Sequence, residues 1–470
     1  MFKKFIEKYG IRTILRFSST LIIYILWVIW LGNYWFLLGI PIIYDIYLTK
    51  KVNWTPWKKR TGKNHWLIEW LDALIFAVVA VTIINIFLFQ NYKIPTGSME
   101  KSLLIGDHLY VSKVAYGPRI PQTPLSIPFM QHTIPGTDIK SYVEWIKLPY
   151  KRLKGFGKIK RDDPVVFNFP AGDTVCRRKE LQSVSIYYLY REEAQRLKQL
   201  DQYAKHPLKT DEEYYALGRK EFLRREDILV RPVDKRDNYI KRCVAISGDT
   251  LQVIQGVVYV NGKRQKEIPG IQYDFLVAID GRRLNQKKLT DLGISPEDIA
   301  YNANNTAMQV PLTDALAEEM KRNKLVRGLD ILISQPDYYD YKMFPHDSRF
   351  PWNIDYFGPI YIPKKGATID ITLDNLPLYE RIIDYYENND LEVKDSVIYI
   401  NGAPASQYTF KMDYYWMMGD NRHHSLDSRY WGYVPEDHIV GKPRFIWLSL
   451  NRDKHFPANI RLKRMFHGIR

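Results

Sequence analysis

Cysteine is nearly absent: Cys176 and Cys243 are the only two in 470 residues. Two thiols cannot staple a disulfide-dense scaffold, and these two lack the paired spacing of a zinc site. A single bridge between them requires that their β-carbons meet, which sequence separation does not decide. Acidic residues are also in deficit, with 52 Asp and Glu against 68 Lys and Arg, a formal charge of +16. Such a surplus favours an anionic partner, either nucleic acid or a lipid headgroup surface. Past about residue 90 there is no apolar run long enough to cross a bilayer. Hydrophobicity itself is not lacking. Hydrophobic residues make up 46% and aromatics 14%, enough for a packed core, so a disordered chain is excluded as the default. At roughly 150 residues per domain, the length leaves room for more than one module.

The apolar runs are confined to the start of the chain. Residues 17–48 hold FSSTLIIYILWVIW and YWFLLGIPIIYDIYL, joined at Gly32-Asn33, and LDALIFAVVAVTIINIFLF covers 71–89. Each is near the roughly 17–25 residues of a spanning helix, although Pro41 and Asp45 weaken the second, so two or three spans are expected. Trp27, Trp30, Tyr34 and Trp35 suit an interface. Lys3, Lys4, Lys8, Arg12 and Arg16 precede the first run, and Lys50, Lys51, Lys58, Lys59, Arg60 and Lys63 follow the second. Positive flanks stay in the cytoplasm, so the pattern predicts a helical hairpin with its Gly-Asn turn outside, then a helix that exports everything beyond residue 90. The first run lacks the small-residue cleavage site of a removable leader. Basic residues crowd beside the membrane runs, which favours lipid over nucleic acid. The basic tail Arg461, Lys463, Arg464 and Arg470 is read in the same way, as a solvated or lipid-facing patch.

The exported part reads as β-structure. HLYVSKV (108–114), DPVVFNF (163–169), YIKRCVAI (239–246) and LQVIQGVVYVNG (251–262) alternate or run apolar between turn residues. VIYINGAP (397–404) echoes VVYVNGKR (257–264), each with an Asn-Gly turn. Residues 180–228 are helical in composition, and 270–390 are mixed, with a helix expected near 312–323. The expected order is a membrane anchor (1–90), a catalytic β part in three pieces (91–179, 231–269 and 391–470), a helical insertion (180–230) and a mixed insertion (270–390).

Three phrases put reactive side chains in apolar surroundings. In YKIPTGSMEKSLLIGDHLYVSK (92–113), Pro95 and Gly97 force a turn that displays Ser98. The Thr96 hydroxyl and the Ser98 N–H can converge on one oxygen as an oxyanion hole. In NYIKRCVAISGDT (238–250), period-two alternation puts Lys241, Cys243 and Ala245 on one face. A lysine facing inward there tends to lose its proton. The third phrase, MMGDNRHHSLDSRYWGYVP (417–435), is dense in Asp, Asn, Arg and Ser. His423 and His424 lack paired metal-ligand spacing, so no metal is expected. Consecutive His346-Asp347-Ser348 cannot reach triad geometry and is read as a turn.

Together these phrases resemble the boxes of bacterial type I signal peptidase, the leader peptidase family of Ser-Lys serine proteases. IPTGSMEKSLLIGD, YIKRCVAISGD and GDNRHHSLDSRYWGYVP fall in the family's order behind membrane helices, and RDDPVVFNFP (161–170) is similar to its R-x-D-x-VVF strand. The insertions and extra apolar segment resemble the form found in the Bacteroidetes group. Two positions depart from the family pattern: no proline follows Ser98 in MEKSL, and Ser247 stands where a Pro-Gly-Asp turn is usual.

The resemblance implies transmembrane helices followed by a mainly β catalytic domain, a coiled antiparallel sheet or barrel, with mixed α/β insertions. It implies Ser98 as nucleophile, Lys241 as general base, and Thr96 with Ser98 as the oxyanion hole. It also implies Ser425 as a hydrogen-bond partner of the lysine, Asp427 and Arg429 as a supporting ion pair, and Ile94 and Ile240 as pocket walls. No cofactor is required. The expected partners are exported preproteins with signal peptides, the phospholipid bilayer and a secretion translocon, not nucleic acid. The expected location is the cytoplasmic (inner) membrane, with the catalytic domain on its outer, periplasmic face, cutting after Ala-x-Ala-type sites. Two rivals are weighed. A self-cleaving repressor protease is soluble and carries a DNA-binding module, against three membrane segments here. An inactive membrane-tethered binding or assembly module is expected to have lost Ser98, Lys241 or Thr96, all of which are present.

A lysine's ordinary pKa near 10.4 leaves about one amine in 10³ neutral at pH 7. Service as a base needs a fall of roughly three units, about 4 kcal/mol. A carboxylate in contact undoes that fall, so Asp427 is predicted not to touch Lys241.

Overall fold

A computed structural model describes residues 2–469 apart from 59–62, 171–173, 179–180, 182–183, 281–282, 286–288, 290–291, 295–297, 323–325 and 453. Of the basic positions above, Lys59, Arg60 and Arg470 lie outside the described residues.

Two helices, Ile11–Leu31 and Trp66–Phe87, are long and apolar enough to cross a membrane. The first ends where Gly32 adopts the left-handed conformation (φ +64°) and donates to Val28 and Ile29 carbonyls, a terminator that glycine favours because it has no Cβ. The second apolar run does not make a third long helix. Tyr34–Gly39 is a 3-10 helix, Ile40–Tyr44 a short α-helix and Asp45–Thr49 a π turn. Pro41 opens the α piece. Asp45 accepts from the Lys51 and Val52 amides at 3.0 Å and from Trp54 Nε1 at 2.9 Å, ending the helical stretch at Thr49. The first helix is latched at its C-terminal end to residues 151–154. Trp30 Nε1 donates to the Lys154 carbonyl and Lys151 Nζ to the Leu31 carbonyl, each at 2.9 Å.

Helix Trp66–Phe87 feeds directly into the first strand, Phe89–Lys93. The main sheet is eight-stranded and antiparallel. Its order is Phe89–Lys93, Asp107–Ser112, Ile439–Ser449, Pro164–Asn168, Asn238–Ala245, Tyr414–Met418 and Val434–Pro435, with His467–Gly468 added beside Ile439–Ser449. Register shifts along Ile439–Ser449, against Asp107–Ser112 and again against Pro164–Asn168, bend that long strand and curl the sheet. Pro164–Asn168 is buried at every position. Proline is tolerated there because it begins the strand.

The two echoed phrases adopt one geometry. Val257–Val260 turns through Asn261 (φ +53°) and Gly262 (φ +73°) into Lys263–Arg264, and Val397–Ile400 through Asn401 (φ +53°) and Gly402 (φ +79°) into Ala403–Pro404. Positive φ at both central residues is what an Asn-Gly hairpin turn supplies. Helices Ile186–Tyr203 and Asp211–Arg225 pack together in the first insertion, the second opened by a Thr210–Glu213 capping box. Strands Tyr273–Ala278, Ala307–Leu312 and Gly328–Ile331, with helix Asp314–Arg322, surround a separate apolar core. Cys176 and Cys243 are both buried and unpaired.

Candidate active site

Pro95 ends the extended entry strand and Thr96 is still extended (φ −130°, ψ 157°), so the chain must turn next, and Gly97–Met99 is a single 3-10 turn. Met99 and Leu103 are each 1% exposed and anchor the turn in an apolar cluster with Ile94, Leu109 and Val166. Ser98, between glycine and methionine, is left half-buried and facing a cavity of about 570 Å3 that Thr96, Tyr239 and Lys241 also line.

Lys241 reaches the same cavity from the central strand Asn238–Ala245. It is 2% exposed, and its Nζ lies 2.5 Å from Ser98 Oγ. Burial lowers its pKa to about 8, Asp427 opposing the fall and the guanidinium of nearby Arg429 adding to it. Asp427 does not contact it. That carboxylate is held by Arg429 at 2.8 and 2.9 Å and accepts from the Gly419 amide. Burial alone would push the Asp427 carboxyl up, but Arg429 holds it below its ordinary range. Arg429 also donates to the Arg422 and Ile354 carbonyls, so the pair braces the loop around it.

The remaining expected residues fall into place unevenly. Thr96 is exposed at the cavity rim, on the same wall as Ser98. Ser425 is 3% exposed, but its Oγ has no hydrogen-bond partner among the described residues, Lys241 included. The expected Ser425–Lys241 bond is therefore corrected: the amine is directed at Ser98, and the Ser425 hydroxyl packs against Gly419 instead, where an added Cβ would meet it at 2.2 Å. Ile94 and Ile240 share one apolar cluster beside the turn, but the open cavity itself is walled by Tyr239, Leu104, Ile105 and Leu426. His346, Asp347 and Ser348 lie in a loop that lines a different cavity.

Three residues not singled out beforehand tie the phrases together. Asp420, fully buried, accepts from Arg242 Nε at 2.8 Å and Nη2 at 2.6 Å and from Ser102 Oγ at 2.5 Å. One carboxylate thus joins the serine turn, the lysine strand and the third phrase. Asn421 donates from its backbone to the Ser98 carbonyl (3.1 Å) and from Nδ2 to the Gly97 carbonyl (3.2 Å). Arg242 and Asp420 sit inside the recognised boxes, which is the signal that could have marked them. Asp298, from the separate module, lines the cavity too, and with burial it raises the Glu100 carboxyl on the turn.

The profile of a family described as signal peptidase, peptidase S26, matches residues 67–292 and 370–448. Among curated proteins, the chain is similar to Signal peptidase I of Buchnera aphidicola subsp. Schizaphis graminum. The two are 25% identical over 468 residues, spanning 97% of this chain and 98% of that protein. Signal peptidase I of Haemophilus influenzae is 24% identical over 403 residues, 86% of this chain and 76% of that one. A shorter stretch of 52 residues, 11% of this chain and 17% of the relative, is 48% identical to Signal peptidase I of Buchnera aphidicola subsp. Baizongia pistaciae.

Proposed function

Because the chain belongs to the signal peptidase family, peptidase S26, and is a serine endopeptidase of that kind, we propose that it is a membrane-bound signal peptidase working through a Ser98–Lys241 dyad. The observation that carries this reading is the 2.5 Å approach of a buried amine to a serine hydroxyl at the wall of an open cavity. With no carboxylate paired to it among the described residues, Lys241 exists in part as the neutral amine near neutral pH. It takes the Ser98 proton as the oxygen attacks the scissile carbonyl, then passes that proton to the leaving amine. Water, deprotonated by the same amine, releases the acyl group. The Ser98 N–H and the Thr96 hydroxyl stabilise the oxyanion. Asp427 with Arg429 holds the third box in shape, and Ser425 packs beside the dyad.

The substrate binds extended. Along the lysine strand, Tyr414–Met418 pairs only with Arg242–Ala245, leaving Ile240 and Lys241 beside an edge where a peptide can add as a strand. Ile94 and Ile240, in the apolar cluster beside the turn, back the part of the site that takes small side chains, giving Ala-x-Ala-type cleavage. Substrates are exported preproteins, delivered by a secretion translocon through the inner membrane to a catalytic part on the periplasmic face. The two candidate spans fit this placement, since the end of each that adjoins the exported part lies opposite the basic flanks. Ser98→Ala and Lys241→Ala enzyme, purified in detergent and given a preprotein, are expected to show no cleavage. Full activity in either variant sinks the dyad.

A further inference from the structure

The module of residues 273–331 has its own core, built on Phe275, Val277, Met308, Val310, Leu312 and Met320. It meets the catalytic part where Lys101 Nζ on the serine turn donates to the Gly293 carbonyl and the Tyr273 hydroxyl to the Gly256 carbonyl, and it is joined most extensively to the loop 420–424. The Gln272 amide donates to the Asp420 carbonyl (2.9 Å) and the Arg422 amide to the Gln272 carbonyl (3.0 Å). Two consecutive histidines extend the joint. The Asp274 amide donates to His423 Nδ1 at 3.0 Å, so that nitrogen is an acceptor and the ring proton sits on Nε2, which faces Asp355 Oδ1 at 2.8 Å. His424 Nε2 faces Asp274 Oδ1 at 2.8 Å. Asp355 and Asp274 are 2% and 5% exposed, fixed by burial and further hydrogen bonds from the Ser334 amide and Gln309. Asp355 lies in the stretch between the two segments that match the family profile.

The far side of this loop is the Ser98 turn. Asn421 holds the Ser98 and Gly97 carbonyls, and an added Cβ on Gly419 would come within 2.6 Å of the Ser98 carbonyl oxygen. The loop is therefore trapped between the serine turn and the module. We infer that His423 and His424 are positioning residues for the nucleophile: Asp274 and Asp355 act through the two rings to seat Asn421 so that Ser98 stays within reach of Lys241. The inference rests on the reading of Ser98 as nucleophile. Its scale is set by the sensitivity of the dyad, since a misplacement of about 1 Å can cost on the order of 10²-fold in rate.

The test uses the full chain in detergent with a preprotein substrate, measuring kcat and KM separately, the single-turnover acylation of Ser98, and thermal unfolding of each variant. The His423→Ala/His424→Ala double variant is expected to lose on the order of 10- to 100-fold in kcat and acylation rate with KM within about twofold. His424→Gln, which keeps a donor near the Nε2 position, is expected to recover most of the rate lost in His424→Ala. An unchanged kcat in the double variant, a loss confined to KM, or equal losses in His424→Gln and His424→Ala would overturn the proposal. If Ser98→Ala is inactive while the double variant cleaves at the normal rate, the pin is wrong and the dyad stands. If Ser98→Ala cleaves, both fall.

Discussion

Lys241 offers the sharpest prediction, because one buried amine should set both the activity and the stability of the enzyme. Burial brings its pKa from 10.5 to about 8. That fall corresponds to about 3 kcal/mol of cost for keeping the ammonium charged in the fold. Below pH 8 the amine is protonated both in the folded and in the unfolded chain, so the cost is present in full. Between pH 8 and 10.5 the unfolded chain keeps a proton that the folded one has released, and stability contributed by this site rises with pH. Two measurements follow. The kcat/KM of the purified enzyme is expected to climb about tenfold per pH unit below 8 and to level off above it, with roughly one amine in ten neutral at pH 7. Lys241→Met is expected to be inactive, and to be more stable than the parent at pH 7. Subtracting about 1 kcal/mol for the lost hydrogen bond to Ser98 leaves a gain of about 2 kcal/mol. The gain should shrink as the pH approaches 10.5. An activity profile that levels off only near pH 10.5, or a Lys241→Met protein less stable than the parent at pH 7, refutes this account of the amine.

Further outcomes can be checked in the same assay. Thr96→Val is expected to lower turnover by roughly 10²–10³-fold with little change in unfolding, the usual scale for one oxyanion donor. Arg242→Met strands the buried Asp420 carboxylate, which also takes the Ser102 hydroxyl, and should destabilise the protein by about 3–5 kcal/mol in denaturant unfolding. Gly419→Ala drives a methyl into the Ser98 carbonyl oxygen and the Ser425 side chain, so cleavage should fall sharply even where a folded protein is recovered.

How much could be read in advance depended on how far apart in sequence the partners lie. Ser98 and Lys241 each sit in a contiguous phrase whose turn or alternation exposes them, and those phrases were legible. The helical insertion was likewise written in local composition, and the Thr210–Glu213 box marks one of its helix starts. Asn421 looked like one polar residue among several, because its job depends on carbonyls more than 300 residues away. The Ser425 hydroxyl was misassigned because its aim is decided by the packing of Gly419, which no local pattern reports. The second apolar run was close to long enough to span. Asp45, tied to three groups in residues 51–54, ends its helical stretch at Thr49, and that side chain's partners were invisible in a hydropathy pattern.

The latch between the first membrane helix and residues 151–154 gives the anchor a second role. A catalytic part bound to the bilayer by one flexible stalk would sample many heights above it. Here one helix runs straight into the first strand and the other is pinned by Trp30 and Lys151, so with both helices in a bilayer, as proposed, two struts would set the elevation of Ser98. On that placement the enzyme would act as a gauge of distance. A substrate would be cut where its chain emerges to that fixed altitude, and lengthening its buried apolar stretch should move the cleavable bond out of register even when the residues beside that bond are ideal.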